Sequence, residues 1–130
     1  MVREIISNNI LSIEVLLGNM YGKTYYKATM YRHNSGVYYK KLEDEQQTLS
    51  NQIDVDDYVN ILDYIRKDIR IEDWDHSYIN PDNPDNKFWK VTIKTEDSAN
   101  KSCQIIVYEG KNAYPENWKE FAELFFPVTE

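Results

Sequence analysis

The sequence is poor in the residues that proteins use for cross-links and for many catalytic motifs. Among 130 residues there are one cysteine and two histidines, too few for an intrachain disulfide or a zinc site built from these ligands. Four glycines leave little material for phosphate-binding loops, and the chain has no P-loop, no dinucleotide-binding fingerprint and no Gly-x-Ser-x-Gly elbow. We therefore expect no metal, no cofactor and no catalytic residues, and we interpret the protein as a non-enzyme.

Long apolar segments are also missing. No run approaches the roughly 18 residues that a membrane-spanning helix needs, and the N-terminus lacks the apolar stretch and cleavage site of a signal peptide. The composition, 42% hydrophobic and 28% charged, is ordinary for a folded domain. We expect one domain over residues 1–130, located in the cytoplasm and not bound to a membrane.

Charge of one sign is in excess and unevenly distributed. The net charge of −7 opposes nucleic-acid binding, which needs a basic surface. Residues 21–41 contain five basic side chains and no acid, whereas residues 42–75 contain eleven acids and three bases, a balance of −8. Such a chain is expected to be electrostatically two-sided, which can steer partners.

Hydrophobic periodicity predicts an α+β fold. Alternation predicts strands over residues 11–17, 24–32, 37–42, 89–95 and 103–108, with a weaker edge strand at residues 4–6. Residues 43–52 are predicted as a loop or ragged strand end, and two Asn-Pro-Asp turns predict a surface loop over residues 73–86. The order β-β-β-α-β-β-α favours an antiparallel sheet of about five strands with two helices packed on one face.

Capping residues and apolar spacing indicate the two helices. Asp54 is a good N-cap for a helix of about four turns. The second helix is predicted to begin at Pro115, or at Asn117, which forms a capping-box pattern with Glu120. The predicted buried positions are Tyr58, Ile61, Leu62, Ile65 and Ile69 in the first helix, and Trp118, Phe121, Ala122 and Phe125 in the second.

The hairpin around residues 33–36 carries tyrosines on both faces. If Arg32 faces Val37, one face suits a core, and the other is a mixed aromatic and basic surface. A two-residue turn at Ser35-Gly36 would change the partners but would still leave tyrosine on each face. The predicted core face contains Tyr26, Ala28, Met30, Val37 and Tyr39, and the other face contains Tyr25, Lys27, Thr29, Tyr31, Tyr38, Lys40 and Leu42.

Two further features receive structural interpretations. Cys103 falls on the apolar phase of its strand, with Ile105 and Val107, so we expect a buried and inert thiol. The carboxylates around His76 do not match a calcium-binding loop, because the required glycine and glutamate are missing.

The C-terminal half contains a recognisable pattern, Trp89-x-Val91-x-Ile93 followed by Gly110-x-Asn112-Ala113-Tyr114-Pro115-Glu116-Asn117-Trp118-x-x-Phe121. It resembles small uncharacterised bacterial domains in which a Trp-bearing strand, a hairpin and an Asn-Ala-Tyr-Pro turn lead into a final helix. The resemblance implies structural roles here: a turn at Gly110, a helix start, and a buried Trp118. It implies no function.

These features favour a small acidic interaction protein that binds and inhibits or regulates another macromolecule. Immunity proteins and phage-encoded inhibitors of host defence share this size and charge, which is an analogy and not homology. The candidate binding residues are Tyr25, Lys27, Tyr31, Tyr38 and Lys40 on the hairpin, and Asp56, Asp57 and Asp63 on the acidic helix. The partner is expected to be a protein, with a second copy of the chain left open. The alternative is a small-molecule or nucleotide-binding protein that stacks rings on Tyr or Trp and holds phosphate with Lys or Arg.

Overall fold

The computed structural model describes residues 10–19, 21–33, 36–44, 46–82, 86–96 and 103–126. In these ranges the chain forms a mixed α+β fold whose sheet has seven strands, more than the five expected. The strands are β1 (Ile10–Asn19), β2 (Thr24–His33), β3 (Gly36–Glu43), β4 (Gln46–Ile53), β5 (Ser77–Ile79), β6 (Lys87–Glu96) and β7 (Cys103–Lys111). The strand predicted at residues 4–6 lies outside the described residues.

The first described strand lies at the centre of the sheet, whose order is β4-β3-β2-β1-β6-β7-β5. Strands β1 to β4 follow one another as an antiparallel meander on one side. Strands β6 and β7 return antiparallel on the other side of β1, and β5 adds a short parallel edge to β7.

The predicted register of the β2–β3 hairpin is confirmed. Arg32 lies opposite Val37 and Met30 opposite Tyr39. Met30 and Val37 are buried, as expected for the core face. The placement of Tyr26 in the core was wrong, because this side chain is 43% exposed. It lies at the end of the hairpin, where a ring contact joins it to Phe126, the residue that ends the last helix.

The first predicted helix is present, as an α-helix over its first ten residues and a π-helical turn over its last five. Helix α1 (Val55–Tyr64) continues directly into a π-helical turn (Ile65–Ile69), and Oδ1 of the N-cap Asp54 accepts a hydrogen bond from the amide of Asp56 at 2.8 Å. A short 3₁₀ turn (Ile71–Asp73) follows, and helix α2 (Trp118–Phe125) closes the described chain. No helix in the described ranges has the length and apolar character needed to span a membrane.

Both helices pack on the same face of the sheet, which confirms the predicted arrangement. The sheet contributes Ile13, Val15, Ala28, Met30, Val37, Trp89, Val91, Ile93 and Tyr108 to the core, and the helical segments contribute Tyr58, Leu62, Ile65, Ile69, Phe121 and Phe125. Fully burying one such side chain stabilises the fold by roughly 1.5–3 kcal/mol before chain entropy is counted. The opposite face of the sheet carries no described helix.

Two segments predicted as loops contain strands. Residues 46–53 form β4, whose exposed polar side chains give no alternation that would mark a strand. Residues 77–79 form β5 inside the predicted surface loop. This strand is defined by its pairing with β7, which lies far away in the sequence, and so it was not predicted.

The predicted burial of Cys103 was wrong, since Cys103 is exposed. In β7 it is Ile106 and Tyr108, opposite Ile93 and Val91, that face the helices. Ile105, on the same side of the strand as Cys103, is 59% exposed. Both faces of this strand carry apolar residues, so periodicity alone assigned the wrong face to the core.

Candidate functional site

Five of the eight predicted binding residues share the sheet face that carries no described helix. Tyr25, Lys27 and Tyr31 alternate along β2, and Tyr38 and Lys40 lie on the same side of β3. We call this surface the tyrosine–lysine face. Sequence alternation found it because the hairpin register was predicted correctly.

Ring contacts organise the centre of the tyrosine–lysine face. The Tyr31 and Tyr38 rings lie opposite each other with centroids 5.7 Å apart and a 31° tilt. Lys40 Nζ lies 5.5 Å from the centroid of Tyr31, within reach of a cation–π contact. Tyr25 is the most exposed of the three tyrosines, at 39%. The face therefore offers apolar ring surface, phenolic hydroxyls and cationic groups side by side.

Strand β6 extends the positive charge of this face beyond the predicted residues. Leu16 of β1 separates Lys27 from Lys90, and Ser12 separates Tyr31 from Lys94. These two lysines lie far from the hairpin in sequence, so only the long-range pairing of β1 with β6 brings them to the face. No local pattern could have identified them.

The three predicted aspartates form a separate surface on the opposite side of the sheet. Asp56 and Asp57 are exposed in the first turn of α1, and Asp63 is half-buried near its end. The eight predicted residues therefore belong to two separate surfaces. One is a lysine-bearing sheet face and the other an aspartate-bearing helix.

A groove that the sequence did not reveal lies between the sheet and the helical layer. It encloses about 780 Å³, a volume within the range of ligand pockets. The groove is lined by Met30, Tyr39, Lys41, Asn51, Gln52, Ile53, Asp54, Asp57, Asn60, Ile61 and Leu124. Its cation, Lys41, lies 3.3 Å from the Glu43 carboxylate, so the free charge at the rim is acidic.

An aromatic cluster around Trp74 also escaped sequence analysis, because Trp74 falls in the segment predicted as a surface loop. The ring is 7% exposed and contacts the rings of Trp89, Tyr108, Trp118 and Phe121. Asn117 occupies the N-cap position of α2, one of the two predicted helix starts, but its side chain forms no capping hydrogen bond. Its side chain accepts a hydrogen bond from Trp74 Nε1 at 2.8 Å and donates one to the carbonyl oxygen of Ile69 at 2.6 Å.

Three tyrosines in the helix-covered layer have a raised pKa. Burial raises the pKa of Tyr108 to about 12, and the nearby Glu72 adds to the effect. Burial also raises the pKa of Tyr39 and of Tyr58, although the Arg32 guanidinium beside Tyr58 opposes it. These three tyrosines have structural positions in the helix-covered layer.

Reactive side chains are dispersed in the part of the chain that the structure describes. His76 stacks on Tyr108 with ring centroids 4.8 Å apart, and its Nδ1 lies 2.9 Å from the carbonyl oxygen of Val107. Within the described ranges, no three His, Cys, Asp or Glu side chains are grouped as metal ligands would be.

Comparisons with protein-family models, with curated proteins and with solved structures found no match to this chain. A function must therefore be argued from the surfaces themselves. The tyrosine–lysine face and the groove are the two surfaces with distinctive chemistry.

Proposed function

We propose that this protein is a non-enzymatic interaction protein that binds another macromolecule, expected to be a protein, and thereby blocks or regulates it. The observation that carries the proposal is the tyrosine–lysine face, which the described helices leave uncovered. Tyrosine is enriched at interfaces because it combines apolar area, a hydroxyl group and few rotatable bonds. The neighbouring lysines favour an anionic partner surface.

The charge distribution supports a partner that approaches from one side. Lys27, Lys40, Lys90 and Lys94 share this sheet face and outnumber its acids, Glu14, Glu96 and Glu109, whereas the acidic α1 lies on the other side of the sheet. Separated charge orients an approaching partner and raises its association rate, an effect that salt weakens. An anionic protein surface would be attracted to the face and repelled by the helical layer.

The test compares capture of a partner by matched charge variants of the full chain. Lys27→Glu with Lys40→Glu changes the tyrosine–lysine face, and Lys67→Glu with Lys119→Glu makes the same change in net charge on exposed positions of the helical layer. Each tagged variant is incubated with lysate of the source organism, and bound proteins are quantified by mass spectrometry. We expect a partner that the wild type and the helical-layer variant retain and that the face variant binds at least about tenfold more weakly.

If both variants bind the partner equally weakly, only net charge matters, and the assignment of binding to the tyrosine–lysine face is wrong. A third variant, Asp56→Lys with Asp57→Lys, tests the other version, in which the acidic helix occupies a basic cleft on the target. If that variant alone loses the partner, the binding surface is α1.

The nucleotide-binding alternative has less support from the geometry. The groove lies on the opposite side of the sheet from Lys27 and Lys40, and Asp54 and Asp57 at its rim repel phosphate. Native mass spectrometry of gently purified protein, before and after denaturation, tests it directly. A small compound released on denaturation would favour the alternative.

A further inference from the structure

The two edges of the sheet differ in how they are protected. The β5 edge has only three residues and is followed by Pro81, and both features discourage further pairing. The β4 edge is eight residues long and reads Gln-Gln-Thr-Leu-Ser-Asn-Gln-Ile, with no charged residue and no proline. One edge is therefore closed to added strands, and the other is not.

Strand β4 has the geometry to accept another strand. It is terminal in the sheet order, so one side of its backbone has no strand partner among the described residues. The β3–β4 register shifts once, at Lys41/Leu42, and is regular from the pair Lys41–Leu49 to the pair Val37–Ile53. A regular edge presents alternate N–H and C=O groups to an incoming chain. Natural edges of this length usually carry lysine, proline or a covering element.

The groove lies directly beside this edge. Asn51, Gln52 and Ile53 of β4 form one wall, and Asp57 and Ile61 of α1 form the other. A strand added to β4 would direct every second side chain toward the helical layer. One of those side chains would reach the groove, so the edge would supply affinity and the groove selectivity.

Charge identifies the occupant. Acidic residues flank the uncharged strand on both sides, Asp44 and the Lys41-paired Glu43 before it and Asp54, Asp56 and Asp57 after it. A second copy paired through β4 would place acid against acid in either strand direction. Basic residues at the ends of an incoming segment would instead be attracted.

We propose that β4 binds an extended segment of a partner protein by strand addition, with an uncharged centre, basic residues toward its ends, and one side chain in the groove. This site goes beyond the proposed function because it uses a different surface from the tyrosine–lysine face. Either proposal can fail while the other stands.

The test selects twelve-residue random peptides, displayed on phage, on the full-length protein. We expect enriched peptides to combine β-branched or aromatic centres with Lys or Arg toward both ends. Binding is then measured by fluorescence anisotropy to Ser50→Pro and Asn51→Pro. Successive N–H groups of a strand point to opposite sides, so one of these prolines faces outward and leaves the β3 ladder intact. The variant that keeps the wild-type melting temperature should bind the peptides at least about tenfold more weakly.

Matched charge variants test the flanking acids. Asp57→Lys changes a residue of the groove, and Asp68→Lys makes the same change at an exposed position in the π-helical turn. Only the first should weaken binding, and added salt should narrow the difference.

Three results would overturn the proposal. These are no enrichment above background, enriched peptides without a basic excess, and peptides that bind both proline variants like the wild type. A concentration-dependent dimer in analytical ultracentrifugation that the outward proline abolishes would assign the edge to a second copy instead. The lysine variants of the tyrosine–lysine face should bind the peptides no more weakly than the wild type, which separates this test from that of the proposed function.

Discussion

Replacing Gly110 by alanine should destabilise the protein more than its place in a turn-like sequence suggests. Gly110 is a residue of β7 and lies opposite Trp89 of β6, not in a turn. The turn comes two residues later at Asn112, whose φ is 59°. A Cβ on Gly110 would overlap Nε1 of Trp89 and the carbonyl oxygen of Ala113, and it would lie 2.5 Å from Cε2 of Trp89.

The magnitude follows from what that methyl group displaces. Trp89 is fully buried, and its Nε1 donates a hydrogen bond to the Ala113 carbonyl oxygen at 2.7 Å. Overpacking a core costs about 1–3 kcal/mol, and a buried donor left without its acceptor costs about 1–3 kcal/mol. The less flexible unfolded chain offsets about 0.4–1 kcal/mol. We expect Gly110→Ala to lower the free energy of unfolding by about 3 kcal/mol.

Urea unfolding followed by tryptophan fluorescence measures this change, with Gly36→Ala as the control. A Cβ on Gly36 would meet the hydroxyl end of Tyr38, 2.8 Å away, and that half-buried side chain can rotate. The control should therefore lose less than about 1 kcal/mol. If Gly110→Ala also stays within about 1 kcal/mol of the wild type, the proposed packing of Trp89 against β7 is wrong.

Three further predictions concern the helical layer and the sheet face that it covers. Asn117→Ala should lower the free energy of unfolding by about 2–3 kcal/mol in urea unfolding, because the Asn117 side chain bonds both Trp74 and the backbone of Ile69. Asn117→Asp keeps the acceptor for Trp74 but places an oxygen against the Ile69 carbonyl oxygen, so it should be no more stable than Asn117→Ala. Because burial raises the pKa of Tyr108 to about 12, an unfolded chain releases this proton near pH 10 while the folded protein keeps it. The proton on Tyr108 therefore leaves the free energy of unfolding unaffected below pH 10. Between pH 10 and pH 12 the free energy of unfolding falls by about 1.4 kcal/mol per pH unit. Urea midpoints across this range should fall less steeply for Tyr108→Phe, and an unchanged slope would contradict the assignment. Asp54→Ala should lower the free energy of unfolding by about 1 kcal/mol, because it removes the side chain that caps α1. Asp54→Asn keeps a capping oxygen and should change the free energy of unfolding little in the same assay.

Local sequence signals predicted the hairpin and the first helix because both are built from neighbours. The short loop allows Arg32 to face Val37, and with that register the period of two assigns every residue of β2 and β3 to a face. The N-cap residue and the apolar spacing of helix α1 are both visible in the sequence. The fold class and five residues of the tyrosine–lysine face followed from these elements.

Features that depend on distant partners could not be found in this way. The side chains of β4 that the structure describes are mostly exposed, so the strand lacks the alternation that burial imposes. The phase of β7 is decided by Gly110, whose missing side chain admits the ring of Trp89, and not by the apolar residues Ile105 and Ile106 on its two faces. Lys90 and Lys94 join the site only through β6. The groove likewise needs β4 and α1 in their folded positions.

The central position of β1 also sets an order of assembly. Its pairing with β2 needs only a short turn, but its pairing with β6 joins Ile13 to Ile93 across most of the chain. Closing the longer loop carries the greater entropic penalty, and long-range pairing slows folding. On a ribosome the first four strands can pair before β6 has been made. Until then one side of β1 is an open apolar edge, which makes the half-synthesised chain the state most exposed to aggregation.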